Sequence, residues 1–367
     1  MNSSQVSVSR RTFAGIAGAG VAAAALRPLI AATPARATDG VVRLSANENP
    51  YGPSPAALQA IRDALSLAWR YPDESVQGLV SDLAAMHGVP KEWFVVGDGS
   101  SEILKLAASA FTGPGRKLVT AEPSFEAIAK HAEVHGAEVV TVPLDPDYAH
   151  DLGRMSVPGA GLVYVCNPNN PTGTITPKAK LRAFLDSLPA SVTVVVDEAY
   201  HHYADSPDYE SVIPLVRTHP NLIAARTFSK IYGMAGLRLG YAVAQPENAK
   251  NLSKHAAWDS VNALAIAAGT ASLKDVAYAA EGQRRNRTTR AQLTGDLRRM
   301  GYEVIPSQTN FVMIQTGRDV RPIIAALHDR GVDVGRLFPA LPQHLRVTIG
   351  MPAQMKRFLD AFAAAMA

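Results

Sequence analysis

The chain has 367 residues, 47% of them hydrophobic, enough to bury one large core or two closely packed ones. Lys and Arg exceed Asp and Glu by four, but Arg10, Arg11, Arg27 and Arg36 all lie in the first 37 residues, which hold no acid. The remainder is charge-balanced, which removes basicity as a reason to expect nucleic acid or an acidic membrane surface as partner.

The N-terminus reads as an export signal of the twin-arginine type. Ser9-Arg10-Arg11-Thr12-Phe13 precedes a weakly apolar Ala/Gly stretch from Ala14 to Leu26, and Ala35-Arg36-Ala37 offers a cleavage site. This predicts a periplasmic or secreted protein, cut after residue 37 and handled by the twin-arginine export machinery. The single cysteine, Cys166, can form no internal disulfide, in keeping with a chain that folds before export. The histidines are scattered without metal-ligand spacing, so no metal is expected.

Beyond the signal, short apolar runs alternate with helical patterns. Lys117 to Ala121, Val139 to Val142, Leu162 to Val165, Val192 to Val196 and Leu222 to Ala225 read as strands, and Glu126 to Val134 and Lys178 to Leu185 as helices. Continuous apolar strands separated by helices predict an α/β fold with a mainly parallel sheet covered on both faces. From about Ala256 the pattern changes to one long helical stretch, Ala263 to Arg299, then short strands at Asn310 to Ile314 and Leu345 to Ile349, which suggests a smaller α+β part. In such folds ligands sit at the carboxyl ends of the strands.

Four of those loops carry candidate chemistry. Gly97-Asp98-Gly99-Ser100-Ser101-Glu102 follows an apolar run and opens a helix, where backbone N–H groups and hydroxyls can receive a phosphate. Cys166-Asn167-Pro168-Asn169-Asn170-Pro171-Thr172-Gly173 aims an Asn amide from a loop stiffened by X-Pro pairs. Asp197 ends an apolar run and either faces a cationic ring nitrogen or caps a helix. Thr227-Phe228-Ser229-Lys230 places a lysine after a buried strand, with Arg238 eight residues later. A neutral lysine amine can hold a carbonyl cofactor as a Schiff base and shuttle a proton, and Ser229 and Arg238 can bind a phosphate.

Together these residues resemble the fold-type-I pyridoxal-phosphate (PLP) aminotransferases, and within them the histidinol-phosphate aminotransferase group. The resemblance runs in order through Asn47-Glu48-Asn49-Pro50-Tyr51-Gly52, Tyr71-Pro72, Gly99 to Glu102, Asn167 to Gly173, Asp197 to Tyr200, Ser229-Lys230, Gly236-Leu237-Arg238 and Leu345-Arg346-Val347. It implies the aspartate-aminotransferase fold: an N-terminal arm contributing to the small domain (residues 38–70), a large PLP-binding domain (71–257) and a small C-terminal domain (258–367). It also implies ping-pong transfer of an amino group between an amino acid and a 2-oxo acid. By resemblance, Lys230 is the catalytic lysine, Asp197 pairs the ring nitrogen, Asn170 and Tyr200 contact the phenolic oxygen and Phe125 stacks on the ring. Ser100, Ser101, Ser229 and Arg238 hold the phosphate, and Tyr71 reaches it from the second subunit of a homodimer. Arg346 binds the substrate α-carboxylate, with Tyr51 and Arg336 at the substrate.

The chain departs from the group's pattern where substrate is recognised. Phe125 stands where the family usually has Tyr, Lys254-His255-Ala256-Ala257-Trp258-Asp259-Ser260 replaces an R-x-P-Y-N-type segment, and Val334-Gly335-Arg336 carries its arginine one residue late. These departures predict a carboxylate-bearing amino acid as substrate in preference to histidinol phosphate. The competing readings are a PLP-dependent decarboxylase or lyase on the same site, and a non-catalytic protein of this fold.

Overall fold

A computed structural model describes residues 40–367; the twin-arginine segment lies outside them. Strand β1 (Val42–Arg43) is followed by α1 (Pro55–Ala64) and α2 (Asp73–His87). One sheet is then built from β2 (Phe94–Gly97), β3 (Lys117–Glu122), β4 (Val139–Pro143), β5 (Ala160–Cys166), β6 (Thr193–Asp197), β7 (Leu222–Thr227) and β8 (Gly240–Ala244). Helices α3 (Ser100–Phe111), α4 (Ala127–Val134) and α5 (Lys178–Ser187) run between these strands, and α6 (Pro246–Ser253) follows them.

The strand order is β2-β8-β7-β6-β5-β3-β4. The central strands β6 and β7 are buried along their whole length, as their apolar runs Val194 to Val196 and Leu222 to Ala225 require when helices cover both faces. One apolar layer joins Leu83 of α2, Phe184 of α5 and, from later in the chain, Ile266 to the sheet. The other joins α3, α4 and α6 through Leu104, Phe111, Ala132 and Leu252. Each large side chain so buried contributes about 1.5–3 kcal/mol. The sheet is not wholly parallel: β8 runs antiparallel to both β7 and β2. The β7–β8 connection carries no helix, and without a crossover element the chain returns antiparallel.

The rest of the chain forms α7 (Ala263–Lys274), α8 (Val276–Arg299), β9 (Glu303–Ile305), β10 (Phe311–Gln315), α9 (Val320–Asp329), β11 (Val332–Asp333), β12 (His344–Thr348) and α10 (Pro352–Met366). The helical stretch read from Ala263 to Arg299 is thus two helices. Asp275 leaves helical geometry between them and its carboxylate accepts from Tyr278 N, capping α8. Strands β12, β10 and β9 form an antiparallel sheet, and β1 pairs in parallel with β11. Leu44, Leu297, Val312, Leu327, Val347 and Phe358 share the core beneath them.

The register of the large sheet positions the site. Cys166 lies opposite Asp197, and Asp197 opposite Ala225, so β5 and β6 end level with one another and β7 runs two residues further, to Thr227. The loops beyond carry Asn170, Tyr200 and Lys230.

Candidate active site

A cavity of about 330 Å³ opens at those strand ends. It is lined by Ser100, Ser101, Phe125, Asn170, Asp197, Tyr200, Ser229, Lys230, Arg238, Arg336 and Arg346, together with Asn47, Glu126, Cys166 and Phe338. Eleven of the thirteen residues singled out in the sequence therefore meet in one place.

Asp197 forms the floor. It is 2% exposed, and its Oδ2 accepts from the Tyr164 hydroxyl at 2.9 Å while Oδ1 accepts from Ala199 N at 3.0 Å. The Ala199 contact realises part of the capping alternative, but the carboxylate still borders the cavity. Burial pushes its pKa up to about 6, opposed by those two donors and by the charge of Lys230. A buried carboxylate so placed favours a cationic partner.

Lys230 follows β7, with Nζ 5.6 Å from the centroid of the Tyr200 ring. Burial lowers its pKa to about 8, with the charge of Arg346 adding to that shift and the carboxylates of Glu48 and Asp197 opposing it. Its amine is therefore neutral in an appreciable fraction of molecules near neutral pH, as proton transfer from carbon requires. Tyr200 packs edge-on against Phe311, and its hydroxyl accepts from Asn47 Nδ2 at 3.0 Å. That contact leaves the hydroxyl proton to be donated into the cavity.

At one end, Gly99 precedes the first turn of α3 with φ +79°, and no side chain caps that helix. The guanidinium of Arg238 lies against this turn. Its Nη2 donates to Asp98 O at 3.3 Å and its Nη1 to Ala235 O at 3.0 Å and Ser229 Oγ at 3.4 Å. A Cβ on residue 99 would fall 2.2 Å from Arg238 Nη2, so only glycine permits the approach. Arg238 itself has φ +60°, a strained conformation of the kind retained at functional sites. The helix N-terminus, Ser100, Ser101, Ser229 and Arg238 form an anion cradle.

At the other end, Arg346 in β12 donates from Nη1 to Asn170 Oδ1 at 2.7 Å and from Nη2 to Ser45 O at 2.8 Å. Its buried Nε has no partner. Because Asn170 Oδ1 is taken, Nδ2 is left to donate into the cavity. Arg336 pairs with Glu126, Nη2 to Oε1, at 2.8 Å.

Two expected residues lie elsewhere in the single chain. Tyr71 is 80% exposed and outside the cavity. Tyr51 lines a separate cleft, its ring beneath the Arg285 guanidinium at 4.8 Å. Four contributors carried no role in the sequence: Asn47, Tyr164, Glu126 and Phe338. Asn47 lay in a recognised run and has φ +54°, but its partner Tyr200 is far away in the chain. Tyr164 sits mid-strand, where nothing local distinguishes a hydroxyl bound to Asp197 from ordinary strand composition.

Residues 39–362 match the family model of aminotransferase class I and II. The chain belongs to that family. It is 44% identical over 330 residues to the histidinol-phosphate aminotransferase of Symbiobacterium thermophilum, covering 89% of this chain and 91% of that one. Histidinol-phosphate aminotransferase 1 of Cupriavidus pinatubonensis is 41% identical over 89% of each chain. The crystal structure of histidinol-phosphate aminotransferase from Sinorhizobium meliloti with pyridoxal-5'-phosphate superposes with a TM-score of 0.83 at 31% identity, covering 89% of this chain and 90% of that one.

The enzyme is thus a PLP-dependent aminotransferase with the aspartate-aminotransferase-like fold, and the decarboxylase, lyase and non-catalytic readings are not favoured. The residues present fit the cofactor. The glycine-dependent cradle suits its phosphate, and the buried Asp197 carboxylate suits a protonated ring nitrogen.

Proposed function

We propose that this aminotransferase exchanges an amino group between amino acids with a free α-carboxylate and 2-oxo acids. The observation that carries the reading is the buried Arg346 fork on the cavity wall, with Nε unpartnered and no acid paired to it among the described residues. A planar guanidinium so placed suits a carboxylate. Bound in the cavity, PLP supplies a carbonyl that accepts the substrate amine and an electron sink for the bond broken at Cα.

The chain's own residues do the rest. Ser100, Ser101, Ser229 and Arg238 hold the phosphate. Asp197 would keep the proton on the ring nitrogen, while Phe125 would pack on the ring and Asn170 and Tyr200 would donate to the phenolic oxygen. Lys230 Nζ would anchor the cofactor and, once the substrate amine has taken its place, would carry the proton from the substrate Cα to the cofactor's former carbonyl carbon. The test is a panel of donors mixed with the holoenzyme in single turnover, following pyridoxamine phosphate; a carboxylate-bearing donor should react fastest.

A second reading, histidinol phosphate as donor, is favoured by the names of the 44% and 41% identical relatives. It competes because that substrate offers a phosphate where Arg346 suits a carboxylate. A specificity constant for histidinol phosphate above every amino acid in the panel would select it.

Two further expectations belong to this reading. Leu65, Leu67, Trp69 and Tyr71, close together in the chain, are large apolar side chains left exposed, as is Trp258; exposed apolar side chains of this size support a homodimer in which Tyr71 reaches the second cavity, and sedimentation tests it. Export through the twin-arginine route is supported by Ser9 to Phe13, by Ala35-Arg36-Ala37 and by a family match that begins at residue 39. Sequencing the mature N-terminus tests it, with a start near Thr38 expected and retained precursor when Arg10 and Arg11 are both changed to Lys.

A further inference from the structure

Two arginines flank one aromatic ring at the mouth of the cavity. The guanidinium of Arg336 lies 4.7 Å from the centroid of Phe338 and that of Arg346 lies 5.1 Å from it. Their surroundings differ. Arg346 is buried and bonded to an amide and a backbone carbonyl, whereas Arg336 is half-exposed and held by the carboxylate of Glu126 at 2.8 Å. Glu126 follows β3 of the large sheet and Arg336 lies between β11 and β12, so the ion pair closes across the mouth from opposite sides.

A second cation makes this pair easy to open. Lys130 Nζ sits 3.1 Å from the same Glu126 oxygen, so Glu126 keeps a partner when Arg336 leaves. The ping-pong reaction gives such a device a use, because one cavity admits donor and acceptor in turn and their side chains can differ in charge. With Glu126 in place, the charge of Arg336 is neutralised and the mouth offers the rings of Phe125 and Phe338 to an uncharged side chain. A substrate with a second anion competes with Glu126 for Arg336.

We infer that Glu126 is a specificity-determining residue, an internal counter-anion that a substrate's distal carboxylate or phosphate must displace from Arg336, so that one pocket serves both dianionic and uncharged side chains. This deepens the proposed function and rests on Arg346 as the α-carboxylate site.

The test uses holoenzyme and two unreactive probes, glutarate as a dianion and butyrate as a monoanion, titrated calorimetrically into wild type, Glu126→Gln, Arg336→Gln and Arg346→Gln. Glu126→Gln should bind glutarate about three- to fivefold tighter, the range an exposed ion pair allows, with butyrate unchanged. The gain should shrink in about 0.5 M salt, where exposed charges are screened. In single turnover the same variant should lower the half-saturating concentration of L-glutamate while leaving that of L-leucine unchanged or raised. Unchanged or weaker glutarate binding by Glu126→Gln, with binding lost in Arg336→Gln, would overturn the counter-anion role and leave the two-arginine site standing. Wild-type binding of both probes by Arg346→Gln would instead overturn the underlying carboxylate reading.

Discussion

The floor and the mouth of the cavity use the same charged residue types in opposite ways. At the floor Asp197 and Lys230 are turned from solvent, and burial moves their pKa values to about 6 and about 8, towards the neutral forms. At the mouth Glu126 and Arg336 are about half-exposed and paired, and Lys130 and Arg336 hold the Glu126 carboxyl below its usual range despite some burial. Charge in a low dielectric is costly unless matched, so the floor is held ready for a ligand that supplies the match. Charge in water is inexpensive to rearrange, so the mouth can exchange partners. The lesson is that reactivity here is set by desolvation and selectivity by exposed, replaceable pairs.

The sharpest way to break this contrast is at Lys230. Lys230→Ala should retain its fold but lose turnover by roughly 10²- to 10⁴-fold or more, measured in single turnover, and borohydride should no longer fix a pyridoxyl label to residue 230. Wild-type protein without such a label at Lys230 would remove the central role of the floor.

Next in size is the pH dependence of the cofactor-free protein. Asp197 has a folded pKa near 6 against 3.8 when unperturbed. Between those values the folded state binds the extra proton, so this group's contribution is present below about pH 4 and lost as pH rises through 6. Lys230 has the opposite shift, about 8 against 10.5: its contribution is present above the unperturbed value and lost as pH falls through 8. Near pH 7 the protein without cofactor therefore carries both penalties. Asp197→Asn should stabilise it by on the order of 2 kcal/mol above pH 6 and match wild type below about pH 4. Denaturant titration across pH checks this, and the same variant should turn over slowly when loaded. If stability fell at every pH with turnover intact, Asp197 would be a structural cap only.

Replacing Arg346 by Lys keeps the charge but removes the fork. We expect the half-saturating concentration of the carboxylate donor to rise about tenfold to fiftyfold, with cofactor absorbance unchanged; an equal fall for every donor regardless of carboxylate would argue for a packing role. The smallest effect belongs to the mouth. Arg336→Gln should cost less than about 1 kcal/mol of stability, and what it costs should fade with salt, whereas the Lys230 and Asp197 effects should not. Salt-insensitive losses at both ends would erase the distinction between floor and mouth.

Much of the site was legible because PLP chemistry concentrates in loops directly after strands. The run ending in Asp197, the Ser229-Lys230 step and the Asn167 to Gly173 loop each combine an apolar strand with a turn carrying one polar group, a pattern visible within about ten residues. Tyr51 and Tyr71 were readable only by resemblance, and the single chain places both outside the cavity. The reversed strand β8 and the break at Asp275 were missed for different reasons: strand direction depends on what the connection packs against, and a single capping Asp was hidden within a strong helical composition.

By itself, then, the sequence determined the alternation of strands and helices, the side chains at the carboxyl ends of β5, β6 and β7, and the glycine at residue 99, because these follow from local periodicity, propensity and turn chemistry. Tertiary structure alone decided which of those groups face one another. Asn47 meets Tyr200 across 153 residues, Arg346 meets Asn170 across 176, and Arg336 meets Glu126 across 210. The desolvation that moves Asp197 and Lys230 likewise comes from helices and sheets distant in the chain. Neither contact nor burial at that range leaves a local periodic trace, since both are set by how the layers pack.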